Sequence, residues 1–241
     1  MPVGSYPRGV AVNPEGTKVY VTNTGSNTVS VIDSATKNVT ATVNVGIYPW
    51  GVAVNPEGTK VYVTNTGSNT VSVIDAASDT VTATVNVGSY PRGLAVNPAG
   101  TKAYVTNWGS NTVSVIDTST NNVTATVNVG YGTIGIAVNP VGTKVYVTNF
   151  WDKTVSVIDA ASDTITATVN VRYGPAGVAV SPAGTKVYVT NAGNDTVSVI
   201  DTTTNNVTAI VPVGSYPWGV VQLVQMEQRY TWRTNMATLS L

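Results

Sequence analysis

The chain contains no cysteine and no histidine, a single phenylalanine, and only 10% charged residues among its 241. Each absence excludes a chemistry. Without thiol or imidazole there is no Ser-His-Asp or Cys-His catalytic pair, no thiolate or imidazole metal site and no histidine-ligated haem. No disulfide framework can form, so cysteine usage says nothing about redox compartment. Charge is balanced as well as scarce: 12 basic and 12 acidic residues give a formal net charge of zero. An average soluble domain carries about 25% charged residues. A neutral chain with scattered charges has no electrostatic reason to seek nucleic acid or anionic lipid. No apolar run approaches the ~18 residues of a membrane span. The opening residues, MPVGSYPRG, lack the basic and apolar regions of a signal peptide. These readings predict no cofactor, no metal, no nucleic-acid partner and no membrane insertion.

What the chain does have is Val, Thr, Asn and Gly in abundance and little Leu, a composition for many short strands rather than helices. It also repeats. The string YVTN begins at Tyr20, Tyr62, Tyr104, Tyr146 and Tyr188, always 42 residues apart. Five gap-free copies therefore occupy 5–46, 47–88, 89–130, 131–172 and 173–214, and a sixth starts at Ser215. In the first copy, strands are predicted over Gly9–Asn13, Lys18–Asn23, Thr28–Asp33 and Asn38–Val45. β-Branched residues fill these segments, and Gly, Pro, Asn, Asp and Ser hold the turns between them. Four short antiparallel strands every ~40–45 residues is the signature of β-propeller blades. The fold class is thus all-β: five complete four-stranded blades, plus a broken sixth, in one domain over 1–220. The small-residue first strand suits a crowded axis. The fourth alternates Val39, Ala41 and Val43 with Thr40, Thr42 and Asn44, as an outer strand with one wet edge should.

These motifs carry a resemblance. The sequence resembles the YVTN-family β-propellers of archaeal and bacterial cell surfaces and surface layers, with some periplasmic members, and the likeness covers residues 1–220. It implies an extracellular or cell-surface location, or alternatively a periplasmic one. It is far less informative for activity, because propellers host unrelated functions.

From Val221 the pattern stops. Residues 221–241 can be back-translated so that reading from the third base yields AVSPNGTKVYVANQYGDTVS, another repeat in register with the five copies. The expectation is a frame offset near codon 221, which makes the tail accidental sequence; codons incompatible with that string would refute it. The chain then reads as a piece of a longer ring. It could close as five strained blades, remain an open arc, or self-associate through unclosed valine-rich blade faces.

The copies differ mainly in two places. Before the first strand's Gly stand Arg8, Trp50, Arg92, Ile134, Ala176 and Trp218. After YVTN stand Thr24, Thr66, Trp108, Phe150 and Ala192, with Trp151 next to Phe150. Both loops lie on one face of an antiparallel blade, so arginine and aromatic variation collects there. Arg and Trp are favoured at interfaces. Arg8, Trp50, Arg92, Trp108, Phe150, Trp151 and Trp218 are accordingly the candidate partner-binding residues, although each Trp could instead simply cover the neighbouring blade. The opposite face carries uniform turns, Pro14 and Asp33 with their counterparts, which read as turn chemistry. Sequons at Asn38, Asn122, Asn194 and Asn206 could carry glycan in an exported protein.

The leading functional expectation is a non-enzymatic surface scaffold that presents this face to a protein or glycan. The alternatives are a propeller enzyme or cofactor-binding domain of the lactonase or quinone-dehydrogenase type, and a periplasmic DNA-binding propeller. With no histidine to supply bases or ligands, the chain is expected not to be an enzyme.

Overall fold

The computed structural model describes residues 2–219. The tail 221–241 and the altered frame expected near codon 221 lie outside them. Every regular element among the described residues is a strand, and the twenty strands form five antiparallel four-stranded sheets, each ordered as in the sequence. The architecture is a β-propeller's set of blades. The chain divides into two compact units, residues 1–127 and 128–241.

The first unit holds three blades. They are β1 (Pro7–Val12), β2 (Lys18–Asn23), β3 (Thr28–Asp33) and β4 (Val39–Asn44); β5 (Pro49–Val54), β6 (Lys60–Asn65), β7 (Thr70–Asp75) and β8 (Thr80–Asn86); and β9 (Pro91–Val96), β10 (Lys102–Asn107), β11 (Thr112–Asp117) and β12 (Asn122–Asn128). The second unit holds two. They are β13 (Thr133–Val138), β14 (Lys144–Asn149), β15 (Thr154–Asp159) and β16 (Thr164–Asn170); and β17 (Pro175–Val180), β18 (Lys186–Asn191), β19 (Thr196–Asp201) and β20 (Val207–Pro212). The second and third strands take the expected bounds. The first begins earlier than expected, because Pro7 pairs with Asn23 across a bulge that ends at Val10.

The repeated motif explains how blades are made and joined. Its tyrosine is core: Tyr20, Tyr62, Tyr104 and Tyr146 are fully buried. In the first unit, Tyr20, Val29 and Val31 of one blade pack against Val61, Val63 and Ile74 of the next, and Tyr62, Val71 and Val73 repeat the contact with Ala103, Val105 and Ile116. In the second unit, Tyr146, Val155 and Val157 meet Val187, Val189 and Ile200 in the same way. The motif's threonine is a staple. Thr22 Oγ1 accepts from Gly9 N at 2.8 Å and donates to Trp50 O of the following blade at 2.8 Å. Thr64 does so between Gly51 N and Arg92 O, and Thr148 between Gly135 N and Ala176 O. First strands come so close that a Cβ at Gly9 would lie 2.5 Å from Trp50 O, which is why this position is glycine.

The two ends of a blade have different jobs. At the end with the uniform turns, Asp33 Oδ1 accepts from both the backbone N and the hydroxyl of Thr36, while Lys18 Nζ reaches the next blade to bond Ala76 O at 2.6 Å and pair with Asp79 at 3.0 Å. These bonds tie each turn to itself and to the neighbouring blade.

Candidate functional site

At the other end, the loop leading into the first strand and the loop between the second and third strands are bonded to each other. Thr24 N donates to Tyr6 O and Gly25 N to Ser5 O; Trp108 N and Gly109 N do the same to Tyr90 O and Ser89 O. Each lead-in loop is also held by the preceding blade, as Asn27 Oδ1 accepts from Tyr48 N at 2.9 Å and Thr24 Oγ1 donates to Pro49 O at 2.7 Å. These bonds fix the two loops to each other and to the preceding blade without any ligand.

On this scaffold the first unit assembles four of the candidate residues into one stack. The Arg8 guanidinium lies 3.6 Å from the Trp50 ring centre; Arg92 lies 4.9 Å from the same ring and 3.9 Å from that of Trp108. Arg8, Trp50 and Arg92 occupy the same position of three successive blades, so the indole stands between the two cations. Arg8 is exposed, and the other three are half-buried. Each guanidinium–indole contact contributes about 0.5–2 kcal/mol, depending on desolvation. Arg92 is the most constrained: burial, and then the neighbouring charge of Arg8, pull its pKa down to about 10, and its Nε is buried without a partner.

In the second unit the aromatics form a cluster of another kind. Phe150 is only 8% exposed, with ring centres of Trp151, Trp218 and Tyr173 at 4.9, 5.9 and 6.2 Å. Phe150 is therefore the floor of this cluster, and Trp151 and Trp218, 44% and 39% exposed, are its accessible part. Ile134 and Ala176, which replace the arginines and tryptophans in these two blades, are buried. The sequon asparagines Asn38, Asn122, Asn194 and Asn206 are all exposed; Asn194 Oδ1 accepts from Tyr173 N.

Sequence reasoning passed over the lead-in tyrosines. Tyr6, Tyr48, Tyr90 and Tyr216 are 56–80% exposed and adopt left-handed backbone, with φ between 51° and 54°. Bulky residues rarely sit there. The fourth and fifth copies place Gly132 and Gly174 at this position and shift the tyrosine one residue back, to Tyr131 and Tyr173. The signal was present: a Tyr-Pro pair recurs inside loops otherwise built of Gly and Ser.

A family model described as lactonase, 7-bladed β-propeller, matches residues 36–133. Among solved structures, hydrazine synthase of Kuenenia stuttgartiensis aligns over 92% of both chains with TM-score 0.69 and 20% identity. A functionally unknown protein from Desulfotomaculum acetoxidans aligns over 89% of this chain and 75% of its own, with TM-score 0.74 and 17% identity. This chain is a β-propeller repeat protein. A curated protein, PE-PGRS family protein PE_PGRS18 of Mycobacterium tuberculosis, is 65% identical over 37 residues, 15% of the propeller chain and 8% of that protein's length.

One expectation is corrected here. The prediction that this propeller is not an enzyme does not stand, because the matching family model is that of a lactonase family. Missing histidine and cysteine remove imidazole and thiol chemistry; they leave carboxylates, guanidiniums and oriented backbone amides, which are catalytic groups in their own right.

Proposed function

We propose that the loop face of this propeller is a ligand-binding face, with Arg8, Trp50, Arg92 and Trp108 of the first unit contacting a protein or glycan partner, in a module displayed at the cell surface. The observation carrying this is the stack itself. It concentrates two of the molecule's few arginines and two of its five tryptophans at one end of the blades, Arg8, Trp50 and Arg92 at the starts of first strands and Trp108 on a loop tied to them by hydrogen bonds. Rigid aromatic and guanidinium anchors lose little conformational entropy on binding. The YVTN resemblance supports display at the surface.

A second reading is favoured by the family match, whose span 36–133 includes Trp50, Arg92 and Trp108. On this reading the same face receives a lactone, and Arg92 stabilises the oxyanion that develops as the ring carbonyl is attacked. One experiment addresses both. A glycan and peptide array is probed with the parent chain and its Trp108→Ala and Trp151→Ala variants, and a panel of lactones is followed by pH-stat. The expected result is binding lost in Trp108→Ala, by about tenfold or more for a buried aromatic anchor. Equal array signals from parent and Trp108→Ala sink the first reading. Hydrolysis that is lost in Arg92→Gln moves the assignment to the second.

A further inference from the structure

We infer that Arg8 and Arg92 together form an oxyanion subsite, and that the ligand of this face is an acidic glycan. The inference rests on the binding reading above and deepens it. Three observations carry it.

The first is the placement of charge. The chain is neutral as a whole, but the segments that form this face in the first unit, residues 5–8, 24–27, 47–50, 66–69, 89–92 and 108–111, contain two arginines and no acid. The acids of these blades lie elsewhere: Asp33, Asp75 and Asp117 end third strands, Asp79 sits in the turn after β7, and Glu15 and Glu57 sit in the turns before second strands. A chain of zero net charge thus has one cationic end on this unit.

The second is the state of the two guanidiniums. Both share the Trp50 indole, and no carboxylate among the described residues pairs with either. Stacking uses the face of a guanidinium and leaves its in-plane N–H groups aimed sideways, in the fork that fits a carboxylate or sulfate. Two like charges held against one ring repel each other. In the proposed subsite an oxyanion bound at the indole's edge offsets that repulsion with charge-assisted hydrogen bonds. The buried, unpartnered Nε of Arg92 marks the same uncompensated cation.

The third is the surround. Tyr6, Tyr48 and Tyr90 stand on the same lead-in loops, 80%, 56% and 57% exposed. Their backbone strain, of about 1–2 kcal/mol per residue, is avoided by glycine in two other copies. Flat, open aromatic faces beside hydroxyl and amide side chains suit a sugar ring better than they suit a peptide side chain, which needs a pocket.

The shared ligand chemistry is an oxyanion on a glycan, and two sources can supply it: the carboxylate of a uronic acid, or a sulfate ester. The test uses the full chain with four probes, namely oligogalacturonate, its methyl ester, sulfated dextran oligosaccharide and polyglutamate, in titration calorimetry at two salt concentrations. The expected result is salt-sensitive binding of at least one acidic glycan, with the methyl ester about tenfold or more weaker, as loss of a charged hydrogen bond predicts. Preference between oligogalacturonate and sulfated dextran identifies the source. Arg8→Gln, at an exposed position, should lose binding to a similar extent, and Arg92→Lys should keep the charge but lose the fork. Thermal melts confirm that both variants are folded. Equal binding of acid and ester, or unchanged affinity in folded Arg8→Gln, overturns the inference while leaving the binding face intact if Trp108→Ala still abolishes that binding. Tighter binding of polyglutamate than of either acidic glycan overturns the glycan assignment. No binding by any of the four probes overturns the inference, while the glycan and peptide array judges the face separately.

Discussion

Each letter of the repeated motif has its own physical duty, and the asparagine's is the least obvious. Asn65 Nδ2 donates to Thr70 Oγ1 at 3.1 Å and to Ser72 Oγ at 2.9 Å, tying β6 to β7 beyond the backbone ladder. Asn23, Asn107, Asn149 and Asn191 repeat the pair of bonds. In all five the Oδ1 is buried and unmatched by a protein donor, a position where a high-resolution crystal structure should show ordered water. Truncating Asn65 removes two donors and leaves a void under a glycine that approaches closely, since a Cβ at Gly46 would come within 2.7 Å of the amide. Asn65→Ala should therefore destabilise by about 1–3 kcal/mol. Asn44→Ala, on the exposed side of β4, should stay within about 0.5 kcal/mol. Denaturant midpoints of the two variants check this. A shift in Asn65→Ala no larger than in Asn44→Ala would show that the side-chain tie contributes nothing.

At the scale of strands, the first strand of each blade does two things: it closes the distance to its neighbour and it carries the variable side chain. Gly51 lies between Trp50 and Val52 on β5, and a Cβ there would collide with Arg92 O and stand 3.1 Å from Thr64 Oγ1. Gly51→Ala must push β5 away from β9, which breaks the Thr64 staple and separates Trp50 from Arg92. The expectation is a loss of about 1–3 kcal/mol together with a changed Trp50 emission, read by thermal melting and fluorescence. Gly16→Ala is the comparison. Its Cβ would meet nothing, but φ is +71°, so it should cost about 1–2 kcal/mol without altering the indole. Emission that is unchanged in Gly51→Ala would mean that the staple does not position the stack. These elements were legible in the sequence because strand, turn and period are local signals: 42-residue spacing, alternation and Pro-Gly turns place β2 and β3 to the residue. Arg8, Trp50, Arg92 and Trp108 were legible as positions, since variation among identical copies marks a face. Their stacking was not, because cation–ring contact depends on how closely successive blades approach. Nor was the burial of Phe150, which depends on Trp151, Tyr173 and Trp218 closing over it.

For the whole molecule, the absence of histidine and cysteine becomes a statement about pH. No side chain with an ordinary pKa titrates between about pH 5 and 9, so stability should be flat across that range. Acid is different. The third strands end in aspartates whose carboxylates accept bonds from the following turn: Asp117 from the hydroxyl of Ser119 and from Thr120 N and Oγ1, and Asp201 from Thr204 N and Lys186 Nζ. These bonds favour the charged form and lower the pKa of Asp117 and of Asp201 to about 2, and those of Asp33 and Asp75 in the same direction. The folded pKa lies below the unfolded value of about 3.9, so the folded state binds fewer protons than the unfolded one. The stabilisation is thus fully present above pH 4 and disappears as pH falls toward 2. Protonating the acids also leaves 12 basic residues unopposed, and their mutual repulsion steepens the same slope. Asp117→Asn separates the two effects. It deletes one titrating carboxylate and leaves the basic residues untouched, so its melting temperature should be lower than the parent's at pH 6 and converge on it near pH 2. Parallel curves with a constant gap would assign the acid loss to repulsion among the cations, and the aspartate turns would then be geometric devices with no share in it.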